Sequence, residues 1–151
     1  MTLAVQLVGI LLVALVAGVY WGPWIALTRS IARLDVEVFL PVVSQLNANL
    51  AGLMTALVPV ALLGQVGLLI VDFGRGPLQF TLAAIAFVLF LITVVVTVLT
   101  EVPIVKQIVT WRTETVPENW RELRDRWASF HLLRVIPGLA ALVLYVAAAI
   151  L

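Results

Sequence analysis

The 151 residues are 64% hydrophobic and only 11% charged, with a mean hydropathy of +1.19 that excludes an ordinary soluble domain and places the chain among membrane proteins. Nine basic residues against eight acidic ones leave a net charge of +1, with no basic cluster apart from the apolar runs, so a nucleic-acid-binding reading is excluded. Without cysteine the chain has no disulfides, thiolate metal sites or cysteine nucleophiles, and its length suits a single domain, residues 1–151.

Uncharged stretches cover residues 1–28, 38–71, 76–100 and 135–151, and about 20 residues of helix cross a hydrocarbon layer of roughly 30 Å. A backbone surrounded by lipid must satisfy its own polar groups, so these runs predict four transmembrane helices, near residues 3–21, 50–71, 78–99 and 131–151. The expected fold class is all-α: a polytopic membrane protein built as a four-transmembrane-helix bundle. The first run begins Met1-Thr2-Leu3-Ala4-Val5 with no basic residue and has no convincing cleavage site, so it reads as a span and not a signal peptide. Along it Ala14, Gly18 and Gly22 recur every four residues and predict a flat strip for close approach of another helix.

In the first connection Ile31, Leu34, Val38 and Val42 fall at helical spacing, interrupted by Arg33, Asp35 and Glu37, as in an amphipathic helix lying on the bilayer surface. Pro41 is expected to end or bend that helix, and Pro59 to bend the second span. The segment Asp72-Phe73-Gly74-Arg75-Gly76-Pro77 makes a short turn whose Gly-x-Gly lacks the strand-turn-helix setting of a nucleotide loop. The third span carries Thr93-Val94-Val95-Val96-Thr97-Val98, a β-branched run that hydrocarbon holds as helix; Glu101 and Pro103 are expected to close it, with Lys106 to Trp111 extending the helix into the cytoplasmic headgroup zone. Thr115, Pro117 and Glu118 form a T-x-x-E start signal with proline in the first turn. It predicts a cytoplasmic helical extension running through Trp127 into the fourth span, with bending at Pro137-Gly138. Connections one and three hold most of the Lys and Arg, and connection two holds Arg75 alone. That bias puts loops one and three on the cytoplasmic side of the cell membrane and both termini outside.

Trp120, Arg124, Trp127, His131 and Arg134 follow intervals of 4, 3, 4 and 3, which stacks them on one face of the helix entering the fourth span. Two readings of that face are open. Turned toward lipid, Trp127 and Arg134 anchor the helix among headgroups. Turned inward, Arg124 and Arg134 hold an anion, Trp120 and Trp127 wall a flat aromatic or quinone-like ligand, and His131, the one histidine of the chain, carries protons. Glu101 is the natural partner of a histidine or arginine on the fourth span, either in an ion pair that fixes register or in acid–base work. With no H-x-x-x-H, no E-x-x-H and no second histidine, neither a metal site nor bis-histidine haem is expected within one subunit, and only a symmetric dimer would supply a second imidazole. Ser30, Ser44 and Ser129 have no G-x-S-x-G setting.

The run Glu101-Val102-Pro103-Ile104, then Trp111, Pro117-Glu118-Asn119-Trp120 and Leu123-Arg124-x-Arg126-Trp127-x-x-x-His131-x-x-Arg134, resembles the anthrone oxygenase-like family of small four-helix integral membrane proteins, most clearly over residues 99–136. The resemblance implies a compact four-span protein, some of whose relatives oxidise anthrones to anthraquinones without a bound metal or flavin. It singles out Glu101, Trp111, Trp120, Arg124, Trp127, His131 and Arg134. Where the family commonly carries N-x-P-x-N, this chain has Glu101-Val102-Pro103-Ile104-Val105, which puts a charge at the first position. The resulting expectation is a membrane protein that binds or oxidises a hydrophobic aromatic or quinone-like compound with no cofactor. His131 would be the base, Glu101 would orient it or take its charge, Arg124 or Arg134 would stabilise the anion, and Trp111, Trp120 and Trp127 would contact substrate. The alternative is a non-catalytic membrane subunit, or a lipid- or quinone-binding module, acting with a partner protein or as a homo-oligomer. Membrane lipids are partners in both; a transporter is disfavoured by small size and the lack of an internal repeat.

Overall fold

The computed structural model describes residues 2–151. Its α-helices are α1 (Thr2–Ala26), α2 (Val36–Phe73), α3 (Pro77–Val96), α4 (Val102–Ile108) and α5 (Trp120–Ile150). Short 3-10 turns at Thr28–Arg33 and Thr113–Thr115 and a π-turn at Thr97–Glu101 join them. Four stretches, Thr2–Arg33, Val36–Phe73, Pro77–Ile108 and Trp120–Ile150, are long and apolar enough to cross a bilayer, the pattern of a multi-pass membrane protein. Large apolar side chains such as Leu7, Leu11, Leu63, Ile70, Val88 and Val143 point outward, as they do where the solvent is lipid. In α3 the hydroxyls of Thr81 and Thr93 bond to the carbonyls of Pro77 and Leu89, and Thr97 and Thr100 in the π-turn do the same to Thr93 and Val96. A β-branched run thereby keeps no free hydroxyl in an apolar helix.

Helices α1 and α3 each pack against both α2 and α5, so the four long helices close in the ring order α1, α2, α3, α5. The central core is Val13, Val16, Ala61, Ala83, Ala86, Phe90, Val135, Ala141 and Tyr145. Its alanines let backbones approach where apolar side chains gain nothing from leaving lipid. A Cβ on Gly9 of α1 would sit 2.7 Å from Leu68 Cγ, and one on Gly64 of α2 would sit 2.9 Å from Leu12 Cδ1. The close approach expected of Ala14, Gly18 and Gly22 thus lies elsewhere: positions Gly18 and Gly22 meet no described atom within 4 Å.

A second apolar cluster, Ile31, Phe39, Leu40, Val43, Ile104, Ile108, Trp120 and Trp127, gathers where connections one and three meet. The residues expected to form an amphipathic helix in the first connection fall partly in the 3-10 turn and partly in α2. The 3-10 turn ends at an extended Leu34, and α2 then runs unbroken from Val36 through Pro41 and Pro59. Its 38 residues span roughly 57 Å at 1.5 Å per residue, well beyond the hydrocarbon thickness. The break at Leu34 also resets the helical phase, so Phe39, Leu40 and Val43 face inward and Val38 is exposed.

Glu101 and Pro103 do not close the third span: the chain stays helical through both into α4, which reaches Ile108, inside the extension expected at Lys106 to Trp111. Proline lacks an N–H, and its ring crowds the carbonyl four residues back; the wider π-turn just upstream takes up that mismatch. The fourth helix starts later than the T-x-x-E pattern implies. Val116 precedes a proline and is extended at ψ 137°, as such residues are constrained to be, so a helix cannot run from Thr115 through Pro117. It begins at Trp120 and continues unbroken past Pro137 and Gly138.

Candidate functional site

The buried positions of α5 are Trp120, Arg124, Trp127, His131, Val135, Gly138, Ala141, Tyr145 and Ala148. The polar-aromatic face of the helix is therefore its core face, continued by small residues deeper in the bundle. His131 is 1% exposed and Glu101 2%. The π-turn brings Glu101 to α5, where its Oε2 lies 3.3 Å from Arg134 Nη2 and 3.8 Å from His131 Nδ1.

Both ring nitrogens of His131 are engaged. Arg134 Nη2 lies 2.9 Å from Nδ1, and Nε2 lies 3.0 Å from the backbone oxygen of Tyr20 on α1. A guanidinium can only donate and a carbonyl can only accept, so the arrangement fits one form: neutral imidazole with its proton on Nε2. The Arg134 guanidinium also lies over the Tyr20 ring, 4.4 Å from its centre, a cation–π contact. The Tyr20 hydroxyl is 3.4 Å from Thr97 Oγ1, and the His131 and Trp127 rings meet edge-on with centres 5.6 Å apart.

Four buried polar atoms of this cluster have no hydrogen-bond partner among the described residues: both carboxylate oxygens of Glu101, Trp127 Nε1 and Arg134 Nε. The Glu101–Arg134 approach is thus an ion pair without a well-directed hydrogen bond. Leaving a buried donor or acceptor unpaired costs about 1–3 kcal/mol each, more for a charged group. Unpaired buried polar groups are uncommon in folded proteins, so their gathering around His131 makes this cluster the candidate site.

The remaining residues of the sequence-read set lie elsewhere. Arg124, two turns before His131, has its Nη1 donate to the Ala32 carbonyl at 3.3 Å and its Nε to Asp125 at 2.8 Å, and stacks on Trp120. It ties the first connection to α5. Trp120 packs against Phe39 with ring centres 5.8 Å apart. Trp111 borders a surface groove formed with Leu40, Pro41, Ser44 and Arg112. The structure thus joins Glu101, Trp127, His131 and Arg134, and leaves Trp111, Trp120 and Arg124 around the neighbouring apolar cluster. No three His, Asp or Glu side chains converge among the described residues.

Sequence reasoning missed Tyr20, whose contribution through a backbone oxygen leaves no mark in residue type. It also missed a second polar centre at the other end of the bundle. There Asp72, 1% exposed, accepts from Gln6 at 3.3 Å and pairs with Arg75 at 3.1 Å. Arg75 in turn donates to the carbonyls of Ala148 and Ala149 at 2.6 and 3.1 Å, and Tyr145 donates to Gln65 at 3.0 Å. The apolar character of Gln65's neighbours in sequence hid its position at the centre of the core.

A family model described as anthrone oxygenase matches residues 43–144, more than half of the chain, taking in Glu101, Trp127, His131 and Arg134 but not Tyr20. No curated protein and no solved structure matches the chain.

Proposed function

Because the chain belongs to the anthrone oxygenase family, we propose that it binds a hydrophobic aromatic compound at the Glu101–His131–Arg134 cluster and oxidises it with dioxygen and no cofactor. The observation that carries this reading is the group of buried, unpartnered polar atoms on Glu101, Trp127 and Arg134. A phenolic ligand offers a donor for the carboxylate and an acceptor for the indole and guanidinium N–H groups, and apolar rings suited to the surroundings. Removing a proton from an anthrone gives an anion that passes an electron to dioxygen readily. In the overall reaction the two methylene C–H bonds are lost, one oxygen atom becomes the new carbonyl, and the other leaves as water. The protein's part is to hold the anion beside Arg134, with Trp127 and His131 as walls, and to keep water from the reacting carbon.

The excess of Lys and Arg in connections one and three supports a cytoplasmic placement of this end, with both termini outside. The Trp24 ring with Arg29 above it, 5.7 Å from guanidinium to ring centre, suits a lipid headgroup boundary. Single cysteines introduced at Arg33 and Gly74, in a chain that has none, should react with an impermeant thiol reagent from opposite sides of the membrane; labelling from one side would refute this orientation.

The function is tested by adding a phenolic anthrone to detergent-purified protein in the presence of chelators. Expected are quinone formation with one dioxygen taken up per product, and a bound aromatic compound in native mass spectra. Neither turnover nor binding would replace this reading with the non-catalytic membrane subunit.

A further inference from the structure

The carboxylate of Glu101 and the imidazole of His131 are both bases by residue type, but their surroundings are unlike. The imidazole has no free lone pair: Nδ1 is held by Arg134 at 2.9 Å, and Nε2 uses its proton on the Tyr20 carbonyl at 3.0 Å. For His131 to accept a proton, Arg134 would have to leave Nδ1. That would place two cations side by side in a buried cluster where Glu101 is the single acidic neighbour within 4 Å among the described residues. Glu101, 2% exposed, has both oxygens free of hydrogen bonds, and Arg134 at 3.3 Å keeps its anion paired.

We propose that Glu101 is the catalytic base of this site and that His131 is a positioning residue acting through Arg134. The inference rests on the function proposed above and assigns roles within it. In the proton step a C–H or O–H bond of the substrate breaks, an O–H bond forms on Glu101, and the electron pair stays on the substrate. The negative charge moves from the carboxylate to the bound enolate or phenolate, within reach of the same guanidinium. Arg134 therefore faces one anion before and after the transfer, and His131 fixes its direction in both states. Tyr20 completes the arrangement from α1, with a backbone oxygen that selects the imidazole tautomer and a ring that supports the guanidinium at 4.4 Å.

The test compares Glu101→Gln, Glu101→Asp, His131→Gln and His131→Leu, using a phenolic anthrone as probe and following kcat and KM separately. Glu101→Gln should lower kcat by about 100-fold or more, the usual contribution of a general base, with KM changed less than about threefold and unfolding temperature preserved. Glu101→Asp should recover part of the rate. A glutamine at position 131 can still accept from Arg134 and donate to the Tyr20 oxygen, so His131→Gln should exceed His131→Leu by at least about tenfold. Full kcat in Glu101→Gln, or a His131→Gln variant as inactive as His131→Leu, would overturn the assignment and leave the proposed function standing. A wild-type protein that neither binds nor turns over the probe would overturn both.

A second readout needs no turnover. His131 is the chain's only histidine, so nitrogen-15 histidine labelling reports a single ring. Protonated Nε2 with bare Nδ1 at neutral pH is the expected spectrum; an imidazolium, or a proton on Nδ1, overturns the proposal.

Discussion

At the turn between α2 and α3, Gln6, Asp72 and Arg75 satisfy one another and the last carbonyls of α5. At the opposite end, Glu101, Trp127 and Arg134 keep polar atoms that no described part of the chain satisfies. The two centres share ingredients: a carboxylate nearly closed off from solvent, an arginine beside it, and contributions from helices distant in sequence. Burial of charge therefore does not distinguish a candidate site from a fastening. What distinguishes them is the remaining hydrogen-bonding capacity, which is used up in the first centre and left over in the second.

Substitutions can break this contrast. The largest structural effect is expected from Asp72→Ala, which strands Gln6 and a charged Arg75. It should cost about 3 kcal/mol, the lower end for a broken buried pair, because Arg75 is partly exposed. Thermal unfolding in detergent measures it, and affinity for an aromatic ligand at the far end should not change. Next comes Gly9→Ala, whose new Cβ would press into the fully packed Leu68; about 2 kcal/mol of destabilisation is expected from such overpacking. Gly18→Ala, facing open space, should cost nothing by the same assay.

Trp127→Phe probes the opposite end of the bundle. It keeps an aromatic ring in place and removes a buried N–H with no partner among the described residues, so the unfolding temperature should hold or rise. Ligand affinity, measured by titration, should fall about tenfold, equivalent to about 1.4 kcal/mol. The smallest effect belongs to Tyr145→Phe. Losing its hydrogen bond to Gln65 should cost about 0.6 kcal/mol, the average for such bonds between membrane helices. A larger loss of stability from Trp127→Phe than from Tyr145→Phe would reverse the roles given to the two ends.

The four spans were legible because lipid imposes one rule on every residue of a run, and the polar-aromatic stripe of α5 because intervals of 4, 3, 4 and 3 fall on one helical face; that the stripe turns to the core and not to lipid was not legible. The features that complete the site were not. Pro103 signals a helix end in water; here a π-turn lets the chain continue, and that turn directs Glu101 at His131. The Tyr20 oxygen acts as backbone, so no residue type announces it. Asp72 and Arg75 sit among glycines and a proline and read as a turn, because their partners, Gln6 and the end of α5, lie 66 and 73 residues away. Thr115 and Glu118 had the right spacing for a helix start, but the constraint that Pro117 places on Val116 outweighed it.

The contact between His131 and Tyr20 joins residues 111 apart, and that between Arg75 and Ala148 joins residues 73 apart. Synthesis delivers the chain from its N-terminal side, so α1, α2 and α3 enter the bilayer before α5 exists. Until it arrives, Glu101 has neither Arg134 nor His131, and the guanidinium of Arg75 lacks the carbonyls that anchor it. Without α5, the first three helices would carry an unpaired carboxylate at one end and a half-fastened turn at the other. Insertion of α5 supplies the missing partners to both at once, so the step that completes the bundle also assembles the proposed site.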